Sequence, residues 1–547
     1  MTILNKELLK SILMIYKRTM IKQYLLFTFL SVFLISCAKG QDTYNRNNDV
    51  DVQHYIFNLS LNDETNEIAG EAEIKVEFKN ATTNFNLDLI RKKGVYGMEV
   101  IEVFENDHKA KYTYEDDKIM ISPSLDSTLK STYKIKYRGI PERGLVIDTT
   151  KYGQRSFFGD NWPNLARHWL PTVDHPYDKA SIEFRITAPD QYEVVATGIK
   201  KEEIDLNNGY KRTSYSETAP VATKVATIGV TNFAFKDLGT VEDIEVSAWV
   251  YPENSEEGFN DFQEAPKILT YFIDQIGPYS YSKLANMQVK TAWGGLENAG
   301  TISYNEKLVT GKKEIQGLMA HEIAHQWFGN SATENSWNHV WLSEGFATYF
   351  AILYQESVDG NEKRKIESIK DRNEVIEYYK KNPSPIIDYS IKDPMKVLNR
   401  NSYQKGGWLL SMLRHQLGDE VFWQGIRRYY KTFKDGNAMS EDFQNVMEEV
   451  SGQDLEEFFE QWLYEKGYPE LKWNWKYNNG KLTISVKQKQ KHHVFKFPVE
   501  FGIKNQGVMH IESFYVDERS NTFKLDIDQK PDHILIDPEV WLLFEEK

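Results

Sequence analysis

"MAHEIAHQWFGN", residues 319 to 330, sets two histidines four positions apart with a glutamate directly after the first: His321-Glu322-x-x-His325. On an α-helix four residues turn by about 400°, so both imidazoles leave from one face, a turn apart, where one metal ion bridges them. Glu322 leaves to the side, where its carboxylate reaches water rather than metal. Working outward, eighteen residues separate His325 from Glu344 in "WLSEGFATYF", residues 341 to 350, whose apolar spacing predicts a second helix beginning near that glutamate. Two histidines and a carboxylate, with a fourth position left for water, make the ligand set of a catalytic zinc site. His321, His325 and Glu344 are therefore the expected ligands of one Zn2+, and Glu322 the expected general base.

The flanks have a different character. From about 52 to 245, short runs such as Ile74, Val76 and Phe78 alternate with charged residues between Asn, Asp and Gly clusters, a strand period. Helical stretches are expected around 259–276, 315–328, 345–357 and 406–417. Past Gly467-Tyr468-Pro469 the alternation returns in Leu482, Ile484 and Val486, after the hairpin signal Asn478-Asn479-Gly480. The fold class is thus multidomain α+β. It divides into a leader (1–40), an antiparallel N-terminal β domain (41–245), a mainly helical catalytic domain (246–467) and a small C-terminal β-sandwich (468–547).

Across 547 residues, 66 Lys and Arg face 80 Asp and Glu, a net charge of -14, from which a phosphate-tracking groove is hard to assemble. Nucleic acid is not an expected partner. Cys37 is the only cysteine and closes "LISC" after an apolar run, with Lys17, Arg18 and Lys22 upstream. That order describes an export leader too short to span a membrane comfortably, with Met20 as an alternative start to Met1. Leu34-Ile35-Ser36-Cys37 resembles a bacterial lipobox, which makes Cys37 the expected lipidation site; cleavage after Gly40 is the rival. The chain is expected to be exported, periplasmic or anchored to the membrane by that lipid alone.

Several further pieces stand in order along the chain: "GPYSYSKL" (277–284), "WGGLENAG" (293–300), "YQKGGWLLSML" (403–413) and "LEEFFEQWLYEKGYP" (455–469). With the motifs above they resemble the zinc aminopeptidase N family of gluzincins, which also includes the leukotriene hydrolases. "DVQHYIFNLSL" (51–61) and "LARHWLPTVDHPYDKA" (165–180) extend the resemblance into the β domain. It implies a thermolysin-like catalytic domain and a zinc-dependent aminopeptidase that cleaves the N-terminal residue through a zinc-activated water. It also implies that Gly294, Gly295, Leu296, Glu297 and Asn298 form the substrate-binding exopeptidase loop, Glu297 holding the free α-ammonium of a peptide. Leu296 stands where Met is commoner. Tyr403 matches the tyrosine aimed at the oxyanion. Asp160, counted back from Arg167 in "FFGDNWPNLARHW", falls where relatives place a second amine-binding residue, with a turn role as its alternative. Rival readings are an epoxide hydrolase of the leukotriene-hydrolase type and a zinc-bearing peptide-binding protein without catalysis.

Overall fold

The computed structural model describes residues 42–80, 82–124 and 129–547, so the leader and Cys37 lie outside the described residues. The first alternating stretch forms the strand Val50–Ser60, antiparallel to Ile68–Phe78 and parallel to Lys179–Pro189. Tyr55, Phe57 and Leu59 on one strand, and Ile74 and Val76 on the next, turn inward with the period of two that the sequence carries, and a register shift between Val52 and His54 brings Val52 to the same side, opposite Val76. These strands belong to an eight-stranded sheet. A four-stranded sheet beside it contains Arg155–Gly159, whose end delivers Asp160.

The middle segment begins earlier than residue 246. Ala234–Val241 pairs with Ile244–Val250, so the expected boundary cuts a hairpin that belongs whole to a five-stranded sheet. Lys283–Val289 and Thr301–Asn305 continue that sheet in parallel, and the short edge strand Gly295–Leu296 runs antiparallel to the latter. Lys283–Val289 is buried at every position, including Asn286 and Gln288, whose amides are hydrogen-bonded within the protein.

Helices follow: α1 (Ser255–Phe262), α2 (Ala265–Ile276), α3 (Gln316–Ala324), α4 (Trp341–Asp359), α5 (Asn361–Lys381), α6 (Gly406–Leu417), α7 (Asp419–Phe433) and α8 (Ser440–Ser451). Helix α4 is buried on every face from Trp341 to Tyr354 and forms the central pillar. Helix α6 crosses it at glycine: a Cβ on Gly345 would sit 2.9 Å from the Gly406 backbone, so the two main chains touch with no side chain between them. Helix α5 is mostly polar and owes its place to the C-terminal region. Its fully buried Arg364 caps the Trp541 ring at 3.9 Å and donates to the Glu539 carbonyl, while Arg372 reaches Asp537.

The C-terminal strands form sheets of four and three, closed on each other through Trp473 against Phe501 (5.3 Å) and Phe514 against Phe523 (4.5 Å). This is the expected sandwich. Among the described residues no helix is long and apolar enough to cross a membrane.

Candidate active site

Helix α3 carries His321 in its last turn and ends on His325, so the helical step brings the two Nε2 atoms to 3.1 Å. From the first turn of α4, Glu344 Oε2 approaches them at 3.5 and 3.2 Å. A tetrahedral ion with bonds of about 2.05 Å sets its ligands roughly 3.3 Å apart, and this triangle has that size. Glu344 Oε2 is buried and makes no hydrogen bond of its own, so the donor set fits a divalent cation. The orientation of His325 is fixed from behind: its Nδ1 donates to the Phe328 carbonyl at 3.2 Å, with Ser343 Oγ at 3.1 Å, which leaves the Nε2 lone pair facing Glu344. Burial opposes the Glu344 charge, yet the His325 and His321 imidazoles prevail and hold its carboxyl well below the ordinary range.

Glu322 lies beside the triad. One carboxylate oxygen each from Glu297 and Glu322 falls within 4.8 Å of a His325 ring nitrogen. Burial pushes the Glu322 carboxyl well above its ordinary value, with Glu297 and Glu344 adding to the push and His325 opposing it. The edge strand passes so close that a Cβ on Gly295 would meet the Glu322 carboxylate at 2.3 Å. Gly295 therefore makes room for the base, while Gly294 lines the cleft, where a Cβ would meet Leu318 and Leu308 at ordinary contact distances of 3.7 and 3.8 Å.

Glu297 is only 6% exposed, and its Oε1 has no hydrogen-bond partner. Its main chain is clamped: Gln326 Nε2 and Asn330 Nδ2 donate to the Glu297 carbonyl at 2.9 and 2.5 Å, and Gln326 Oε1 accepts from the Gly300 N–H. Both clamping residues belong to the stretch "HQWFGN" that follows the metal motif. Sequence reasoning gave them no role, although polar residues directly after the ligands were the available signal. Leu296 and Asn298 belong to the loop rather than to the cleft, a correction to their expected substrate contact. Leu296 packs into the apolar cluster with Trp337 and Val340, and Asn298 donates to Ser303 Oγ at 3.1 Å. A loop that must hold one side chain rigid spends its neighbours on anchoring.

Asp160 is half-buried and leaves Oδ1 without a partner. Burial and the Glu297 charge raise its carboxyl to about 6, against the pull of Arg143 and Trp293. The structure thus brings Asp160 into the electrostatic reach of Glu297, about 140 positions later in the chain. Tyr403 sits in a wide helical turn, Asn401–Lys405, that leads into α6. Its ring lies parallel to that of His321 with centroids 6.0 Å apart. Burial, then Glu344, Glu297 and Glu322, push the phenol well above its ordinary value, so it stays a protonated donor.

The cleft lined by Glu297, the histidines, Glu322, Glu344 and Tyr403 measures about 680 Å³. Residues 261–462 match the description "Peptidase family M1 domain", and residues 51–225 match "Peptidase M1 N-terminal domain". A glutamyl aminopeptidase of Bitis rhinoceros is 26% identical over 453 residues, which cover 77% of this chain and 47% of that protein. A probable aminopeptidase 2 of Sulfurisphaera tokodaii is 26% identical over 82% of this chain and 60% of its own length. The chain therefore spans about half the length of such relatives. In fold it is similar to an M1 zinc metallopeptidase from Deinococcus radiodurans (TM-score 0.65, 22% identity, 77% of this chain and 95% of that one). It is also similar to Legionella pneumophila aminopeptidase A in complex with aspartic acid (TM-score 0.79, 18% identity, 93% and 61%).

Proposed function

The chain belongs to peptidase family M1, and from that premise we propose that it is a zinc-dependent aminopeptidase that removes the N-terminal residue from peptides. The observation that carries the reading is the meeting, in one cleft, of a three-ligand metal site with Glu297, a buried carboxylate that has an oxygen to spare. An ammonium group satisfies such an oxygen, and a blocked N-terminus does not.

When bound by His321, His325 and Glu344, zinc supplies Lewis acidity to the scissile carbonyl and to the attacking water. Glu322 accepts the proton of that water and returns it to the leaving amine, a double duty suited to a carboxyl whose affinity for protons is raised. Tyr403 donates a hydrogen bond to the carbonyl oxygen as it gains charge. Glu297 fixes the substrate ammonium, and Asp160, its neighbour in the field, adds a second negative charge on the same side. Gln326 and Asn330 keep the Glu297 backbone still while it does so. The distance from Glu297 to the ligands then measures off one residue.

The test is hydrolysis of aminoacyl-arylamides beside their N-acetylated counterparts, with and without a chelator. Cleavage of the free-amine set alone, lost on chelation and restored by zinc, is the expected result. Equal cleavage of both sets removes the role of Glu297, and no cleavage of either by zinc-loaded protein removes the aminopeptidase reading. Export is a separate inference, supported by the basic and apolar order of residues 17–36 and by the single Cys37. The mass of the N-terminal peptide tests it: an acylated Cys37 is expected, an unmodified N-terminus at Gln41 overturns the lipid anchor, and an uncut start at Met1 or Met20 overturns export.

A further inference from the structure

The catalytic cleft does not stop at the metal ligands. It runs on along α4, where Glu344, Thr348, Ile352, Gln355 and Asp359 recur at helical spacing on its wall. From Glu344 to Asp359 that face is about 22 Å long, the span of six or seven extended peptide residues. Helix α5 turns back at Gly360 and supplies the facing wall from Lys363, Glu367, Lys370 and Asp371. With its amine fixed at Glu297 and its first peptide bond at the ligands, a bound peptide has this channel in which to lay the rest of its chain.

The charges of the walls are not balanced. Lys363 and Lys370 both turn to Glu367, at 2.6 and 3.9 Å, and Lys313 turns away to Glu264 at 3.1 Å. Among the described residues Glu314, Asp359 and Asp371, all lining the cleft, close no ion pair, although the Lys370 and Arg400 charges are near enough to Asp371 to oppose its rise. The same cleft holds the buried, unpartnered oxygens of Glu297 and Glu344. Folding α5 back over α4 about Gly360 places Asp371 level with Tyr349 to Ile352, about 8 to 12 Å from Glu344 along the axis. Burial and the Glu374 charge raise its carboxyl to about 7, so it gains most from a cation at close range.

We infer that the channel between α4 and α5 binds the residues downstream of the cut. Resting on the aminopeptidase reading, this makes the preferred substrates oligopeptides of about five residues or more, with Lys or Arg beyond the third position.

The experiment uses the zinc-loaded full chain on alanine arylamide and on peptides of two to about eight residues that begin with alanine and carry Lys or Glu at the fifth position. Each rate is divided by the arylamide rate of the same protein, which reports on the catalytic centre. We expect kcat/KM to rise about tenfold with length, the Lys series to exceed the Glu series about fivefold at low salt, and that preference to shrink at high salt. In the double variant Asp359→Asn, Asp371→Asn the preference should fall below about twofold. Arylamide cleavage with no dependence on peptide length or charge overturns the channel and spares the aminopeptidase. No cleavage of any substrate overturns both.

Discussion

Two buried groups of carboxylates in this molecule are built on opposite plans. In the β region, Asp174 accepts from the Arg167 Nε at 2.9 Å and its main-chain N–H at 3.0 Å, and Thr223 meets its other oxygen; Asp88 accepts from Arg167 and from the Asp174 N–H. Every charge there has an answering donor. In the cleft Glu297 Oε1 and Glu344 Oε2 have none, nor has Asp160 Oδ1 within the field of Glu297, and the carboxyl groups of Glu322 and Asp160 are pushed up by burial and by the Glu297 charge. Saturated carboxylates hold a fold together, whereas a concentration of unsaturated ones stores affinity for a cation and an ammonium that have yet to arrive. Glu297, Glu322 and Glu344 are buried to within a few per cent of Asp88 and Asp174. What separates them is where their lone pairs are spent.

That contrast has measurable consequences. The largest is expected for Glu322→Gln, which should lower kcat by about 10²- to 10⁴-fold. Its zinc content should match that of the parent, and the metal-free protein should melt no lower, because the buried carboxyl that Gln replaces is itself driven toward its neutral form. Loss of zinc from this variant, seen by elemental analysis, would break the assignment of Glu322 as a base outside the ligand set. The converse is expected of Asp174→Ala, which removes the nearer of two carboxylates from Arg167 in a buried network. It should cost about 3 kcal/mol in denaturant unfolding while leaving kcat per folded, zinc-loaded molecule unchanged.

Smaller effects sharpen the comparison. Gln326→Ala removes one donor from the Glu297 carbonyl and should raise KM about tenfold, the worth of one or two hydrogen bonds, with little change in kcat. The smallest expected effect tests the β region by pH. His168 is partly buried and its imidazole is depressed to about 4, first by burial and then by Arg143 and Arg167. A histidine with a folded-state pKa below the unfolded 6.5 leaves the unfolded chain to take up protons first, so its stabilising contribution is present above about pH 6.5 and is lost as pH falls toward 4. His168→Gln should flatten that acid arm of the stability curve. An unchanged arm would remove His168 as its source; the raised carboxyls of Glu322 and Asp160 have the opposite sign and favour the folded chain as pH falls.

Much of the site was legible because its chemistry is tied to spacing. The four-residue step from His321 to His325 and the helix opening at Glu344 follow from helical geometry, and the structure brings their atoms together as that geometry requires. Glu297 and Tyr403 were legible only through resemblance, since a glutamate after two glycines and one tyrosine among 31 carry no period. Gln326 and Asn330 escaped because their work is done by amide groups on a distant carbonyl. Of the fold, the amphipathic strands and the helix 406–417 were readable, and the latter is found at those bounds. Helix α5 escaped because its 21 residues have almost no apolar stripe and are held by arginine contacts to the C-terminal sandwich. The buried parallel strand Lys283–Val289 was missed for a different reason: Asn286 and Gln288 alternate with apolar neighbours in only five residues, and both amides are spent inside the protein.

The crossing at Gly345 and Gly406 places Tyr403 by contact of main chain on main chain. Any replacement of either glycine adds at least one carbon to a gap that has none to spare, so mutational drift has no gradual path by which to adjust the phenol relative to His321 and Glu344. The spacing between the oxyanion donor and the ligands is therefore inherited as a unit. A gene under selection for a new substrate is free to vary the channel walls of α4 and α5 and must leave this junction alone.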